Sequence, residues 1–301
     1  MLDQNEKQNN WLINYAKALT SQNGEDGIIA KILEILPQTD KWCVEFGAGD
    51  GEYLSNTNDL IWNKNYSAVL IEANDGRYAD LAKKISNNNK VQAIKMFVGY
   101  ESHNNLDFIF SKSDIPKEFD FISIDIDGND YHIWDSMKEY KPKVVCIEYN
   151  PTIPDEVEFI QPKDMSIAYG NSILSLCKLA KTKGYELICV TRDNAIFVDS
   201  KYYDLFNIKD NSLQGMNRDK SLMTYLFTGF DGSTFITGNK SLIWHNLKYD
   251  EKKFQHLPKF LRKQRYNKFE NLIYTSYWRF LALKAYIMKR LDERKKAYGH
   301  L

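Results

Sequence analysis

Between residues 42 and 199, short apolar runs alternate with longer stretches whose apolar positions recur every three or four residues. The short runs are WCVEF (42–46), SAVLIEA (67–73), VQAIKMFV (91–98), FDFISID (119–125), KVVCIEY (143–149), YELICVT (185–191) and AIFVD (195–199). Most are apolar on both faces, as strands covered by helices on each side must be. The intervening stretches read as helices: SNTNDLIWNK, then NDGRYADLAKKI with Asn74 or Asp75 as N-cap, then NSILSLCKLAKTKG, opened by Asn171 or Ser172 and stopped by Gly184. Strand and helix in alternation predict right-handed crossovers and an open, doubly wound α/β sheet. Only RDN separates the last two strands, too little for a helix, so they should pair antiparallel at the far edge.

Outside this block the pattern changes. SQNGEDGIIAKILEILP predicts a turn and then a helix ended by Pro37, so residues 1–40 read as a helical cap. Residues 41–207 form the alternating domain, and 208–301 a mixed segment followed by a basic helical extension. YLFTGFDGSTFITGNKSLIW suggests a hairpin in the mixed segment. Tyr274, Tyr277, Trp278, Leu281 and Met288 share a helical face in the extension, a packing or oligomer surface by pattern.

VEFGAGDGEY (44–53) follows the first strand. Gly47, Gly49 and Gly51 permit a tight turn with backbone close to a ligand. The second strand ends in Glu72 and Ala73, where an acid can accept both ribose hydroxyls of a nucleoside. Dinucleotide sites favour G-x-G-x-x-G before a pyrophosphate-binding helix end. Here the spacing is G-x-G-x-G, with Glu45 before it and Asp50 and Glu52 within and after it. Carboxylates there repel phosphate and suit a cationic ligand, which disfavours a nicotinamide-dependent oxidoreductase.

VEFGAGDG resembles the first motif of the class I S-adenosylmethionine-dependent methyltransferases, and VLIEAN their second. The longer pattern SQNGED, FISIDIDGNDYHIW, CIEYNP, GNSILSLCKLAKTKGYEL and NAIFVD is similar to the bacterial FkbM-like group, over roughly residues 20–205. The resemblance implies a Rossmann-like, seven-stranded, mostly parallel sheet in the order 3-2-1-4-5-7-6 with an antiparallel strand near its edge. It implies that Gly47, Gly49 and Glu72 hold S-adenosylmethionine, and that GYESHN (99–104) meets the adenine. Glu45, Ala73 and Asp125 complete the expected cofactor set. The group often has a single acid and glycine after strand four; this chain has a denser acidic cluster there.

That cluster is DFISIDIDGNDYHIW (120–134), with Asp125, Asp127 and Asp130 arriving just after an apolar strand. Strand five brings Glu148 and Asn150, two residues apart and so on one side of an extended chain. An EF-hand is excluded, because counting from Asp125 puts Asp130 at position six and Ser136 at position twelve, where Gly and Glu are needed. Three readings remain open. Asp127, Glu148 and Asn150 hold Mg2+ or Mn2+ and activate an acceptor hydroxyl. Alternatively, the carboxylates work without metal, meeting the cofactor's ammonium and supplying a general base, with Asp127 and His132 as the catalytic candidates. Or the acids only cap the following helix. His103, Tyr149, Tyr169 and Asn171 border the expected mouth.

Charge and cysteine usage refine this. Lys plus Arg and Asp plus Glu number 40 each, so the whole chain does not seek nucleic acid. Residues 251–301 nevertheless hold 14 basic and 4 acidic side chains, against 26 and 36 before them. Cys43, Cys146, Cys177 and Cys189 sit in apolar segments with no C-x-x-C pair, and the N-terminus has no signal-like apolar run, which suits a cytoplasmic protein. NLIYTSYWRFLALKAYIMKRL is interrupted by Arg279 and Lys284 and should not span a bilayer. The expectation is an enzyme methylating oxygen of a small polar acceptor such as a sugar or glycan precursor, with a possible homo-oligomer through the C-terminal helices. The alternative is a non-catalytic Rossmann-like binding module whose basic tail meets a partner or membrane surface.

Overall fold

The computed structural model describes residues 9–37, 40–264 and 267–298; the first eight residues of the expected cap lie outside them. Seven strands form the main sheet: β1 (Trp42–Phe46), β2 (Ser67–Glu72), β3 (Val91–Lys95), β4 (Phe121–Ile124), β5 (Val144–Glu148), β6 (Tyr185–Val190) and β7 (Asn194–Asp199). Their order is β3-β2-β1-β4-β5-β7-β6. The first five strands pair in parallel, whereas β7 lies antiparallel between β5 and β6. This is the Rossmann-like architecture expected, with the short link from β6 to β7 forcing the antiparallel pair.

Helices α1 (Glu25–Ile35), α2 (Asn58–Trp62), α3 (Asp75–Ile85), α4 (Leu106–Phe110), α5 (Asp130–Ser136) and α6 (Ile173–Thr182) connect or flank the strands. The caps follow local chemistry. The Asn74 side chain accepts from the amides of Gly76 and Arg77 at the start of α3, and Ser172 accepts from Ser175 N at α6. Val44, Val69, Ile71, Ile122, Ile124, Val145 and Ile147 are fully buried, which explains why these strands read as unbroken apolar runs. The third strand stops at Lys95, three residues short of the apolar run, so Met96, Phe97 and Val98 leave the sheet.

At the N-terminal ends of β4 and β5, Lys143 lies between Asp120 at 2.8 Å and Asp40 at 2.9 Å. Asp120 is fully buried and also accepts from the amides of Asp40 and Lys41. The described part of the cap joins the same unit. Asn10 exchanges two hydrogen bonds with the backbone of Val190, and Trp11 Nε1 donates to Phe206 O.

The compact unit built on this sheet extends to Met223, beyond the boundary at 207 drawn from the sequence. Arg218 explains the difference. It is buried against Asp155 at 2.7 Å, stacks on the Tyr149 ring and ties the segment after the last strand to the β5–α6 loop. A second unit starts at Thr224. It holds the hairpin β8 (Thr224–Thr228) and β9 (Thr234–Gly238), a two-residue pair β10 (Ser241–Leu242) and β11 (Leu247–Lys248), and the long helix α7 (Lys268–Tyr298). No described helix is long and apolar enough to cross a membrane.

Candidate functional site

A cavity of about 240 Å3 opens at the C-terminal ends of β1 to β4. Open α/β sheets place ligands in that position. Phe46 and Gly47 come from β1 and its turn, Ile71, Glu72 and Ala73 from β2, and Met96, Phe97 and Val98 from the chain leaving β3. Ile126, Asp127 and Asn129 come from the turn after β4. Met165, Ser166, Ile167 and Ala168 supply a further wall, from the loop between β5 and α6.

Glu72 is buried, and its two carboxylate oxygens are held by different amides. Oε2 accepts from Gly49 N at 2.9 Å and Oε1 from Asn74 N at 2.7 Å. The glycine turn therefore aims the acid at the end of β2, with one lone pair on each oxygen left for a ligand. Gly47 has φ of 68°, and a Cβ there would stand 3.0 Å from the Asp125 carbonyl oxygen. Glycine removes the cost of both the left-handed backbone and the close approach.

The other acids of the glycine turn face elsewhere. Side chains alternate along a strand, so if Phe46 lines the cavity its neighbour Glu45 points to the opposite face. Glu45 is buried there, where its carboxylate accepts from Ser55 Oγ, Asn56 N and Thr57 Oγ1. Burial pushes its pKa up, although those three donors pull it down. Asp50 accepts from the amides of Glu52 and Tyr53, which hold its carboxyl below the usual range, and Glu52 pairs with Lys84. The negative character of the crevice thus comes from the far side, after β4 and β5.

There, oxygens of Asp125, Asp127 and Glu148 lie within 4.8 Å of one another. The turn that presents the two aspartates is built by Asp130, which is buried and accepts from Ile126 N and Gly128 N, both at 2.9 Å. Burial raises Asp130 to about 6, against the pull of those amides. Asp127 sits in left-handed backbone, φ 58°, a conformation aspartate tolerates better than most residues. Glu148 is pushed far up, first by loss of surrounding water and then by Asp125, Asp130 and Asp127. It holds a proton at neutral pH and hydrogen-bonds Asp125. Asp125 is open to solvent along one edge, yet crowding by protein atoms, then Asp130 and Asp127, raise it to about 7. Close carboxylates cannot all ionise, so one proton is shared.

Several expected residues are engaged away from the crevice. Asn150 donates to Tyr169 O and accepts from Thr152 N and Oγ1, so its amide is not turned to the three carboxylates. The hydroxyl of Tyr149 is buried and donates to the carbonyls of Thr191 and Arg192. His132 Nε2 lies 2.9 Å from the Gln161 carbonyl oxygen, and only a protonated nitrogen makes a bond there. None of these three lines the cavity, nor does any residue of the GYESHN loop, His103 included; the three residues before that loop do.

Gln161 is the residue that sequence reasoning missed. It is buried, accepts at Oε1 from Tyr169 N and Gly170 N, and donates from Nε2 to Ile167 O. Its own amide donates to Asn171 Oδ1, while Asn171 Nδ2 donates to Gly128 O at 2.7 Å. Gly128 is required by this contact, because a Cβ there would meet Gln161 Oε1 at 2.9 Å and Ala168 Cα at 3.1 Å. Asn129 adds a second tie from Nδ2 to Asp164 O. Its Oδ1 is buried with no hydrogen-bond partner, and Asn129 lines the cavity. A buried acceptor without a donor is costly.

No protein-family model matches the chain, and no curated protein matches it. Several solved structures are similar. A SAM-dependent methyltransferase from Aquifex aeolicus is 13% identical, covering 56% of this chain and 87% of its own, with a TM-score of 0.33. The N-terminal domain of EvdMO1 with SAH bound is 13% identical over 60% and 82%, with a TM-score of 0.40. TYW2 of M. jannaschii in complex with AdoMet is 19% identical over 61% and 80%, with a TM-score of 0.35. At such low scores these likenesses decide nothing about chemistry.

Proposed function

We propose that the chain is an S-adenosylmethionine-dependent methyltransferase that transfers the methyl group to oxygen of a small polar acceptor, such as a sugar or glycan precursor. The observation that carries this reading is Glu72, fixed by Gly49 N and Asn74 N at the floor of a crevice on the C-terminal sheet edge, with its outward lone pairs free. The residues present fit such a cofactor. Glu72 accepts from the ribose diol, and Phe97 and Ile167 give apolar walls to an adenine. Gly47 lets the ligand's chain pass toward Asp125. The cavity falls below the roughly 300–1,000 Å3 common for drug-sized ligands, so the remainder of the molecule extends along its open side.

When bound, S-adenosylmethionine supplies an electrophilic methyl group on a sulfonium. What the protein must add is position and a proton acceptor. Asp127 belongs both to the cavity wall and to the carboxylate cluster, so it stands at the junction between donor and acceptor spaces. Asp125, with its proton affinity near neutrality, takes the acceptor hydroxyl's proton, and Glu148 keeps the neighbouring proton that lets Asp125 ionise. His132 and Asn150 act by position, holding the outer loop to the turn and to Thr152. Calorimetry with S-adenosylhomocysteine tests the reading, with micromolar binding expected. No heat at high micromolar concentration with folded protein would end it.

A further inference from the structure

We infer that α7 lies on an anionic phospholipid surface. Within its unit only one side of the helix is seated: Ile273, Tyr274, Tyr277 and Leu281 are half-buried, and the Tyr277 hydroxyl donates to His256 O. The adjoining side is bare. Phe269, Leu272, Phe280, Leu283 and Ile287 are 70%, 65%, 61%, 57% and 47% exposed. Their spacing puts them on one arc about 80° wide at 3.6 residues per turn, along a helix about 46 Å long at 1.5 Å per residue. Isolated exposed apolar residues need no explanation, but a continuous stripe of large ones marks a contact surface.

Charge selects the occupant. From residue 271 to 291 there is no acid, whereas Arg279, Lys284, Lys289 and Arg290 are all present. Glu270, just before, is taken by Lys263. Along residues 271–291 a second copy of the helix would set these cations against their own kind, with the acids Asp292 and Glu293 only beyond the stripe's end. An anionic headgroup layer answers them all while the acyl boundary receives the apolar stripe. Tyr286, 56% exposed and bordering the stripe, suits the headgroup level. The helix is too charged to cross, so it lies in the surface plane.

The test uses the full chain and sedimentation with vesicles, and is independent of any enzymatic activity. Phosphatidylserine-rich vesicles should carry the protein down, pure phosphatidylcholine vesicles should not, and binding should fall as sodium chloride rises. A Phe280→Asp/Leu283→Asp/Ile287→Asp variant and a Lys284→Glu/Lys289→Glu variant should each lose at least about tenfold in partitioning. Unchanged circular dichroism would show that both still fold. A chain that stays in the supernatant with anionic vesicles overturns the inference. So does binding indifferent to the apolar triple, or a concentration-dependent dimer that this triple abolishes while vesicles go unbound. Protection of a labelled Phe280→Cys by residues 1–223 in the absence of lipid would likewise refute it, by assigning the stripe to the chain's own acidic unit.

Discussion

Glu72→Gln is the sharpest perturbation of the crevice. The wild-type carboxylate offers an acceptor to Gly49 N at 2.9 Å and another to Asn74 N at 2.7 Å. Glutamine has the same shape but only one oxygen. Whichever way its amide turns, its NH2 faces one of those two backbone N–H groups, and one of the two outward lone pairs is lost. The negative charge is lost as well. A hydrogen bond to a charged group contributes about 1.5–3 kcal/mol, so losing one from the ribose diol should weaken S-adenosylhomocysteine by roughly 10- to 150-fold. Calorimetry of both proteins with S-adenosylhomocysteine, and with an analogue lacking the ribose 2′-hydroxyl, separates contact from collapse. The penalty should shrink toward unity for the analogue, because the bond in question is already missing. If the variant binds the natural ligand within twofold of wild type, Glu72 does not hold the diol. An equal loss for both ligands would refute the argument too, since the change would then act through the fold.

Methyl transfer should rise with pH through about 7, because a raised carboxylate pKa leaves Asp125 protonated and unable to accept a proton below that value. Asp125→Asn should flatten this profile and cost about 10²- to 10⁴-fold in rate, read from an initial-rate series at fixed ionic strength. Glu148→Gln should stay active, since it mimics the protonated acid, and chelators should leave the rate unchanged; loss of activity in either case would indicate a cation held by the cluster. Lys143→Met leaves the buried Asp120 without its charge partner and should lower stability by about 3–5 kcal/mol in denaturant unfolding, with no pH-specific effect on rate. Gly128→Ala should leave the sheet intact but push the 165–168 wall outward, seen as weaker ligand binding at nearly unchanged melting temperature.

The sheet was legible because its strands are buried on both sides, and double burial writes itself as unbroken apolar runs. β1 matches its run at both ends, and the pairing of β6 with β7 followed from a three-residue link. That Glu72 and Gly47 border the crevice was legible because acids and glycines at strand ends have few structural uses. Glu45 was misleading for a physical reason. A charge beside a glycine turn looks like a ligand contact, yet alternation along the strand sends it to the far face, where Ser55, Asn56 and Thr57 satisfy it. Asp50 and Glu52 also serve the turn itself. In the 159–171 wall the sequence offered Tyr169 and Asn171 as residues of the mouth, but Gln161 had no signature. The wall's anchors join Gln161, Asn171, Asn129 and Gly128 across tens of residues of sequence, and such amide contacts carry no period.

Those amide anchors have a consequence for how the crevice responds to its surroundings. The wall is held mainly by amides that never ionise, whereas the floor beyond β4 and β5 contains Asp125, a carboxylate raised to about 7. Contour and potential are therefore governed separately. Acidification through about 7 would dim the attraction for a positively charged guest, while the mould holds until Asp130, raised to about 6, takes a proton as well, so proton concentration can regulate how often the niche is filled before it changes what it admits.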